Sequence, residues 1–144
     1  MWKLTDTIAE RIEYYPSTEN FGDPYKNYYK EDIYVGYRYF ETFAKDKVLY
    51  PFGYGLSYTN FETKAEIFKN TEDELTVAAT VTNIGDVRGK EVVQVYVKAP
   101  QGKLGNPARK LIGFAKTGNW HRVKRKNLLS SFPNMIWPLM MTVE

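Results

Sequence analysis

Residues 75–82 read LTVAATVT and residues 92–97 read VVQVYV, and the fold follows from how these two runs alternate. In an extended chain Leu75, Val77, Ala79 and Val81 fall on one side, and Thr76, Ala78, Thr80 and Thr82 on the other. Val93, Val95 and Val97 oppose Gln94 and Tyr96 in the same way. A period of two carried by β-branched residues predicts strands. Asn83-Ile84-Gly85-Asp86 supplies turn chemistry between the runs, with Gly85 and Gly89 expected as hairpin-turn glycines. Phe61–Phe68 and Leu111–Ala115 (LIGFA) are expected as two further strands, and Lys98–Pro107 (KAPQGKLGNP) as a polar loop. About four strands at this spacing predict a mainly β chain, a partial β-sandwich. A complete one needs about seven, and the clean alternation stops too early for that.

Working outward toward the N-terminus, Pro51–Tyr58 (PFGYGLSY) is a turn-rich connector in which Gly53 and Gly55 are expected to let the backbone turn sharply. Residues 1–50 read poorly as a self-contained domain. Thr5–Ile12 is expected to start a short helix capped by Thr5 or Asp6, which Tyr15-Pro16-Ser17 should stop. Asn20–Tyr29, with Gly22 and Pro24, is loop-like. Ile33–Phe43 (IYVGYRYFETF) suits either a short strand or a helix. The pattern is therefore an irregular α/β stretch ahead of the sandwich.

The 144 residues contain 12 Tyr, 8 Phe and 3 Trp, which argues against a fully disordered chain. With no cysteine, a disulfide scaffold and a thiolate metal site are both excluded. No apolar run spans a bilayer, and MWKLTDTIAERIEYYP has no apolar signal core, so a cytoplasmic location is expected. Net charge is +3, but residues 1–118 carry 16 residues of each sign. The excess sits in Arg122, Lys124, Arg125 and Lys126, against Glu144 alone. Composition changes abruptly near Gly118.

Three segments together resemble glycoside hydrolase family 3, the β-glucosidase-like enzymes. Lys3–Asp23 (KLTDTIAERIEYYPSTENFGD) is similar to the end of that family's α/β domain. Tyr28–Glu62 contains VGYRY followed by PFGYGLSYT, a pairing very specific to the family. Val77–Pro100 (VAATVTNIGDVRGKEVVQVYVKAP), continuing to RKLIGFAKTG, resembles the first strands of the fibronectin type III-like domain that follows. The resemblance implies a remnant of the α/β domain at 1–50, a connector at 51–58, and an incomplete fibronectin type III-like domain at 59–118. It leaves an aberrant basic tail at 119–144.

The tail NWHRVKRKNLLSSFPNMIWPLMMTVE matches nothing in the family pattern, and the genetic code offers a reason. Read one base upstream, Trp120-His121 becomes Leu-Ala followed by Pro or Ser, where the family has an LAPGE-like turn. Met135-Ile136-Trp137-Pro138 then yields Asp, an apolar residue and Ala, and Met140-Met141-Thr142 yields Asp-Asp after a position that accommodates Tyr. The shifted frame is compatible with YDLASYDD, and its fixed positions rest on the single codons of Met and Trp. Residues after about Gly118 thus read as out of frame.

Retaining glycosidases need a carboxylate nucleophile and an acid/base carboxyl about 5 Å apart. In the family the nucleophile is an Asp of a TIM-barrel domain and the acid/base lies in the α/β domain upstream of this stretch. Neither has a counterpart here, so no catalytic, cofactor-binding or metal-binding residue is expected. Glu31-Asp32, Glu41 and Glu72-Asp73-Glu74 read as solvated charges. His121, the one histidine, reads as an accident of the shifted frame, and HRVKRK as a non-specific basic run. Gly53-x-Gly55 lacks the third glycine and strand–turn–helix context of a dinucleotide site. The dense aromatics Tyr28, Tyr29, Tyr34, Tyr37, Tyr39, Phe40, Phe43, Tyr50, Phe52, Tyr54 and Tyr58 suit interdomain packing better than sugar stacking.

The resemblance implies hydrolysis of β-linked glucose by an intact enzyme, acting on a β-glucoside or oligosaccharide. For this chain it implies a structural, bracing role alongside the remaining domains of a parent hydrolase. Two other classes make distinct predictions. A stand-alone β-sandwich binding module would show sugar-dependent stabilisation, and a nucleic-acid binder would show salt-sensitive binding lost with the tail. No specific nucleic acid and no membrane are expected as partners.

Overall fold

The structure, a computed structural model, describes residues 2–26, 28–71, 74–103, 105–119, 125–133 and 140–143. Its elements in chain order are β1 (Ile8–Ala9), α1 (Tyr37–Phe43), β2 (Val48–Tyr50), β3 (Phe61–Asn70), β4 (Glu74–Asn83), β5 (Val92–Lys98), β6 (Lys110–Lys116), β7 (Arg125–Pro133) and β8 (Met140–Val143). Single 3-10 turns lie at Ile12–Tyr14, Thr18–Asn20 and Lys45–Lys47.

The alternation at 75–82 builds the centre of the molecule. β4 pairs antiparallel with β3 on one side and β7 on the other, and β5 pairs antiparallel with β6 and β8. The two three-stranded sheets face each other across one apolar layer. Leu75 and Val77 of β4 pack with Val95 of β5 and Ile112 of β6. Ala79 and Val81 pack with Val93, and Phe61 closes that end. Each Val, Leu, Ile or Phe side chain among them contributes about 1.5–3 kcal/mol when fully withdrawn from water.

The structure corrects three of the sequence-based expectations and decides one choice left open. The loop from Ile84 to Glu91 carries the chain from the β3-β4-β7 sheet to the β6-β5-β8 sheet, so Gly85 and Gly89 do not sit in a hairpin. No helix forms over Thr5–Ile12; Ile8–Ala9 instead pairs with Val48–Tyr50 as a short antiparallel ribbon. The choice left open at Ile33–Phe43 falls to a helix, confined to Tyr37–Phe43. Beyond Gly118, where no clean strand was expected, β7 runs opposite Glu74–Thr82 and β8 opposite Val95–Lys98. Among the described residues the sandwich so formed has six strands, β3 to β8.

The first fifty residues have a small core of their own. Phe40 of α1 is 1% exposed, with the rings of Tyr15 and Tyr39 edge-on at 5.2 and 5.3 Å. The Tyr15 hydroxyl donates to the Thr7 carbonyl and accepts from the Ala9 amide, both at 3.0 Å. That one group holds β1 in place where propensity favoured a helix. Among the described residues no helix is long and apolar enough to cross a membrane.

Candidate functional site

The second face of β5 is where the two parts of the chain meet. Gln94 and Tyr96, on the face opposite Val93, Val95 and Val97, are also buried, Tyr96 at 1% exposure. Tyr37 of α1 and Phe52 of the connector lie over them, with ring centroids 6.2 Å (Tyr37–Tyr96) and 4.7 Å (Tyr37–Phe52) apart. Arg109, just before β6, places its guanidinium 4.4 Å from the Tyr96 ring centre and pairs Nη2 with Glu41 Oε1 at 2.5 Å. Both side chains of that pair are only 14% exposed, so water screens it little.

Hydrogen bonds extend the seam along β6. The Leu111 amide donates to the Tyr37 hydroxyl at 2.8 Å, and the Ala108 amide to Thr42 Oγ1 at 2.9 Å. Thr42 is free to accept there because its own hydroxyl proton goes to the Arg38 carbonyl at 2.6 Å. Helix α1 therefore presents Tyr37, Glu41 and Thr42 to one strand. Further along, Lys3 Nζ pairs with Glu91 Oε1 at 3.0 Å.

The connector is stitched in from both sides. The Leu4 amide donates to the Tyr54 carbonyl and the Gly53 amide to the Leu4 carbonyl, each at 2.8 Å. Gly53 has φ +81°, and a Cβ there would stand 2.6 Å from Gln94 Oε1, so only glycine fits. Gly55 serves differently from expectation: it turns nothing, but a Cβ would sit 2.3 Å from the Trp2 carbonyl oxygen. Thr59, at the end of the connector, donates its hydroxyl to Asn83 Oδ1 at 2.7 Å. Asn83 is 0% exposed, accepts also from the Gly85 amide at 3.1 Å, and donates Nδ2 to the Val87 carbonyl at 2.9 Å. This one side chain clamps both the sheet-to-sheet loop and the connector.

The acidic residues singled out in the sequence do not converge. Glu41 belongs to the seam, Asp32 is an exposed residue at φ 47°, and Glu31 is half-buried. Glu72 and Asp73 lie outside the described residues, as does His121, and Glu74 is placed only as the first position of β4. Among the described residues no three acidic or histidine side chains come together as a metal-ion site.

Open clefts lie on the N-terminal part. One of about 590 Å³ is lined by Glu19, Asn20, Phe21, Asp23, Tyr28 and Lys30. Its neighbour, about 550 Å³, shares Glu19 and Lys30 and is walled by Tyr14, Tyr15 and Tyr39. The Lys30 ammonium bonds Glu19 Oε2 at 2.5 Å and holds its carboxyl below the ordinary value; the hydrogen bond is the larger cause and the charge the lesser.

Sequence reasoning identified the aromatic density of this region but missed Arg109, Thr42, Lys3 and Asn20. Arg109, Thr42 and Lys3 gain their roles through partners distant in the chain, 68 residues away for Arg109 and Glu41, and Asn20 through Tyr28 across its own loop. No local period reports such pairs.

The facing three-stranded sheets, with a short α/β stretch bolted to one of them, define the class: a fibronectin type III-like β-sandwich. Residues 91–118 match the fibronectin type III-like domain family. A β-glucosidase of Ruminococcus albus is 59% identical over 115 residues, which are 80% of this chain but 12% of that protein. A β-glucosidase of Paenibacillus barengoltzii superposes with a TM-score of 0.84 at 54% identity, over 91% of this chain and 15% of that one. The GH3 β-glucosidase of Bifidobacterium adolescentis does so with a TM-score of 0.78 at 36% identity, over 90% and 19%. The chain is a segment of a glycoside hydrolase family 3 chain, spanning 12–19% of the length of the β-glucosidases it matches.

Proposed function

We propose that this chain is a structural part of a β-glucosidase: it braces the other domains of a parent hydrolase and has no glycosidase activity by itself. The observation that carries this reading is the seam. Glu41–Arg109, Tyr37–Tyr96 and the amides of Ala108 and Leu111 lock a remnant of the α/β domain to the sandwich as one body. Such a body transmits position rather than performing chemistry. We assign residues 1–50 to the α/β remnant, 51–58 to the connector, 59–118 to an incomplete fibronectin type III-like domain, and 119–144 to an out-of-frame tail. Hydrolysis of β-glucosides is the activity of the intact enzyme, whose two carboxylates lie on parts this segment does not carry. We place the chain in a reducing, cytoplasmic setting, which its lack of cysteine suits.

The test is turnover of a chromogenic β-glucoside by the purified chain. The expected rate equals that of a vector-only preparation. A reproducible excess, abolished by a glycosidase transition-state inhibitor, would overturn the proposal.

A further inference from the structure

Over residues 19–26 and 28–30 internal bonds hold the loop together while its largest side chains are left in water. Its ends are joined by the Lys30–Glu19 ion pair at 2.5 Å and by Asn20 Nδ2 donating to the Tyr28 carbonyl at 2.8 Å. At its tip Asp23 Oδ1 accepts from the amides of Tyr25 and Lys26 at 2.9 and 3.1 Å. Yet Phe21, Tyr25 and Tyr29 are 90, 92 and 84% exposed. Exposed aromatics on a pre-shaped loop are unusual in a free monomer, since such surface is normally covered by a partner.

Two further observations point to an occupant. Asn20 Oδ1 is shut off from solvent beside the 590 Å³ cleft and accepts no hydrogen bond among the described residues. A buried acceptor of this kind calls for a donor. The relatives that share this segment at 54–59% identity continue for several times its length, the chain covering only 12–15% of them. The complementary surface is therefore the rest of such a chain.

We infer that the 19–30 loop is the plug by which this segment docks onto the remainder of a family 3 β-glucosidase, with Phe21, Tyr25 and Tyr29 inserting into it. This deepens the bracing role above and rests on it. Rings that pass from water into an apolar socket carry a disproportionate share of an interface's affinity. The loop's internal bonds lower the ordering cost of docking.

The experiment co-expresses the full chain with the Ruminococcus albus enzyme deleted for the matching 115 residues, the deleted enzyme bearing the tag. Capture of the chain by the tag, with a Kd weakened at least about 10-fold in the Phe21→Ala/Tyr25→Ala/Tyr29→Ala variant, is the expected result. The melting temperature of the isolated chain should stay unchanged by the triple substitution. Undiminished capture of the triple variant overturns the loop assignment while leaving the bracing role intact; no capture of either overturns both. If the deleted enzyme is insoluble, the chain is spliced into it as a chimera. The triple substitution must then lower the melting temperature of the chimera but not of the isolated chain, and equal effects overturn the proposal. Stabilisation of the isolated chain by glucose or cellobiose that the triple variant loses also overturns it, in favour of a sugar-stacking platform.

Discussion

At the scale of single residues, Asn83 does more than its place in a turn motif suggests. Its two side-chain atoms serve Thr59, Gly85 and Val87, and it has no contact with solvent. Replacement by alanine strands the buried Thr59 hydroxyl and removes the partner of the Gly85 amide and Val87 carbonyl, so Asn83→Ala should lose about 1–3 kcal/mol of stability. Urea denaturation followed by circular dichroism measures this; a loss below about 0.5 kcal/mol would show that the clamp relaxes onto water. The seam pair offers a second measurement. Glu41→Ala and Arg109→Ala should each cost about 2–4 kcal/mol, because each takes away the ion-pair partner of a mostly buried charge. The double variant should cost clearly less than the two together, a coupling of about 1 kcal/mol or more. Strict additivity would mean the pair contributes nothing beyond its separate parts. Glycine 53 was legible as special from its motif; the reason, Gln94 pressed against it, was not.

At the scale of elements, legibility followed how many neighbours an element needs. β4, β5 and β6 each have an apolar or β-branched run that decides their conformation locally, and their expected spans agree with the observed ones to within a residue or two. Helix α1 was ambiguous because YRYFETF suits both states; Phe40, drawn into a core with Tyr15 and Tyr39, decides between them. β1 was misread since its two residues are extended only by pairing with β2 and by the Tyr15 hydroxyl. β7 was missed for a different reason. In RKNLLSSFP each phase of the period mixes apolar with charged or polar residues, so no alternation announces the strand. The closing ion pair of the 19–30 loop yields a pH prediction. Because Lys30 lowers the Glu19 pKa from about 4.5, the contact supports the folded form above that pH and fades as pH falls through the lowered midpoint. A carboxyl NMR titration should place Glu19 below 4.5, and Lys30→Met should return it to the ordinary value. An unmoved midpoint in the variant would remove Lys30 as the cause.

At the scale of the whole molecule, the seam makes the α/β stretch and the sandwich a single body, and that unity was not readable from composition. What was readable was the family pattern running to Gly118 and its sudden end. The tail nevertheless lies along the outer sides of β4 and β5 as β7 and β8. In that register Lys126 is the Cα partner of Val81 and Ser130 that of Val77, positions of 0 and 3% exposure on β4. If residues after Gly118 are out of frame, moving the frame one base should supply strands better matched to β4. The restored protein is then expected to melt at least about 4 °C higher by calorimetry. A restored protein that melts at the same temperature or lower would count against the frame assignment.

The stitching of the connector to Leu4 and Gln94 decides where the chain is vulnerable. A link between two bodies is ordinarily the first place a protease enters, because cleavage needs several residues to detach from their surroundings. Here Gly53 and Tyr54 are tied down on both flanks, and the accessible peptide is the tip around Tyr25. A nick at that tip would leave two pieces that still elute together, since Ile8–Ala9 and Val48–Tyr50 remain joined as a ribbon across the cut.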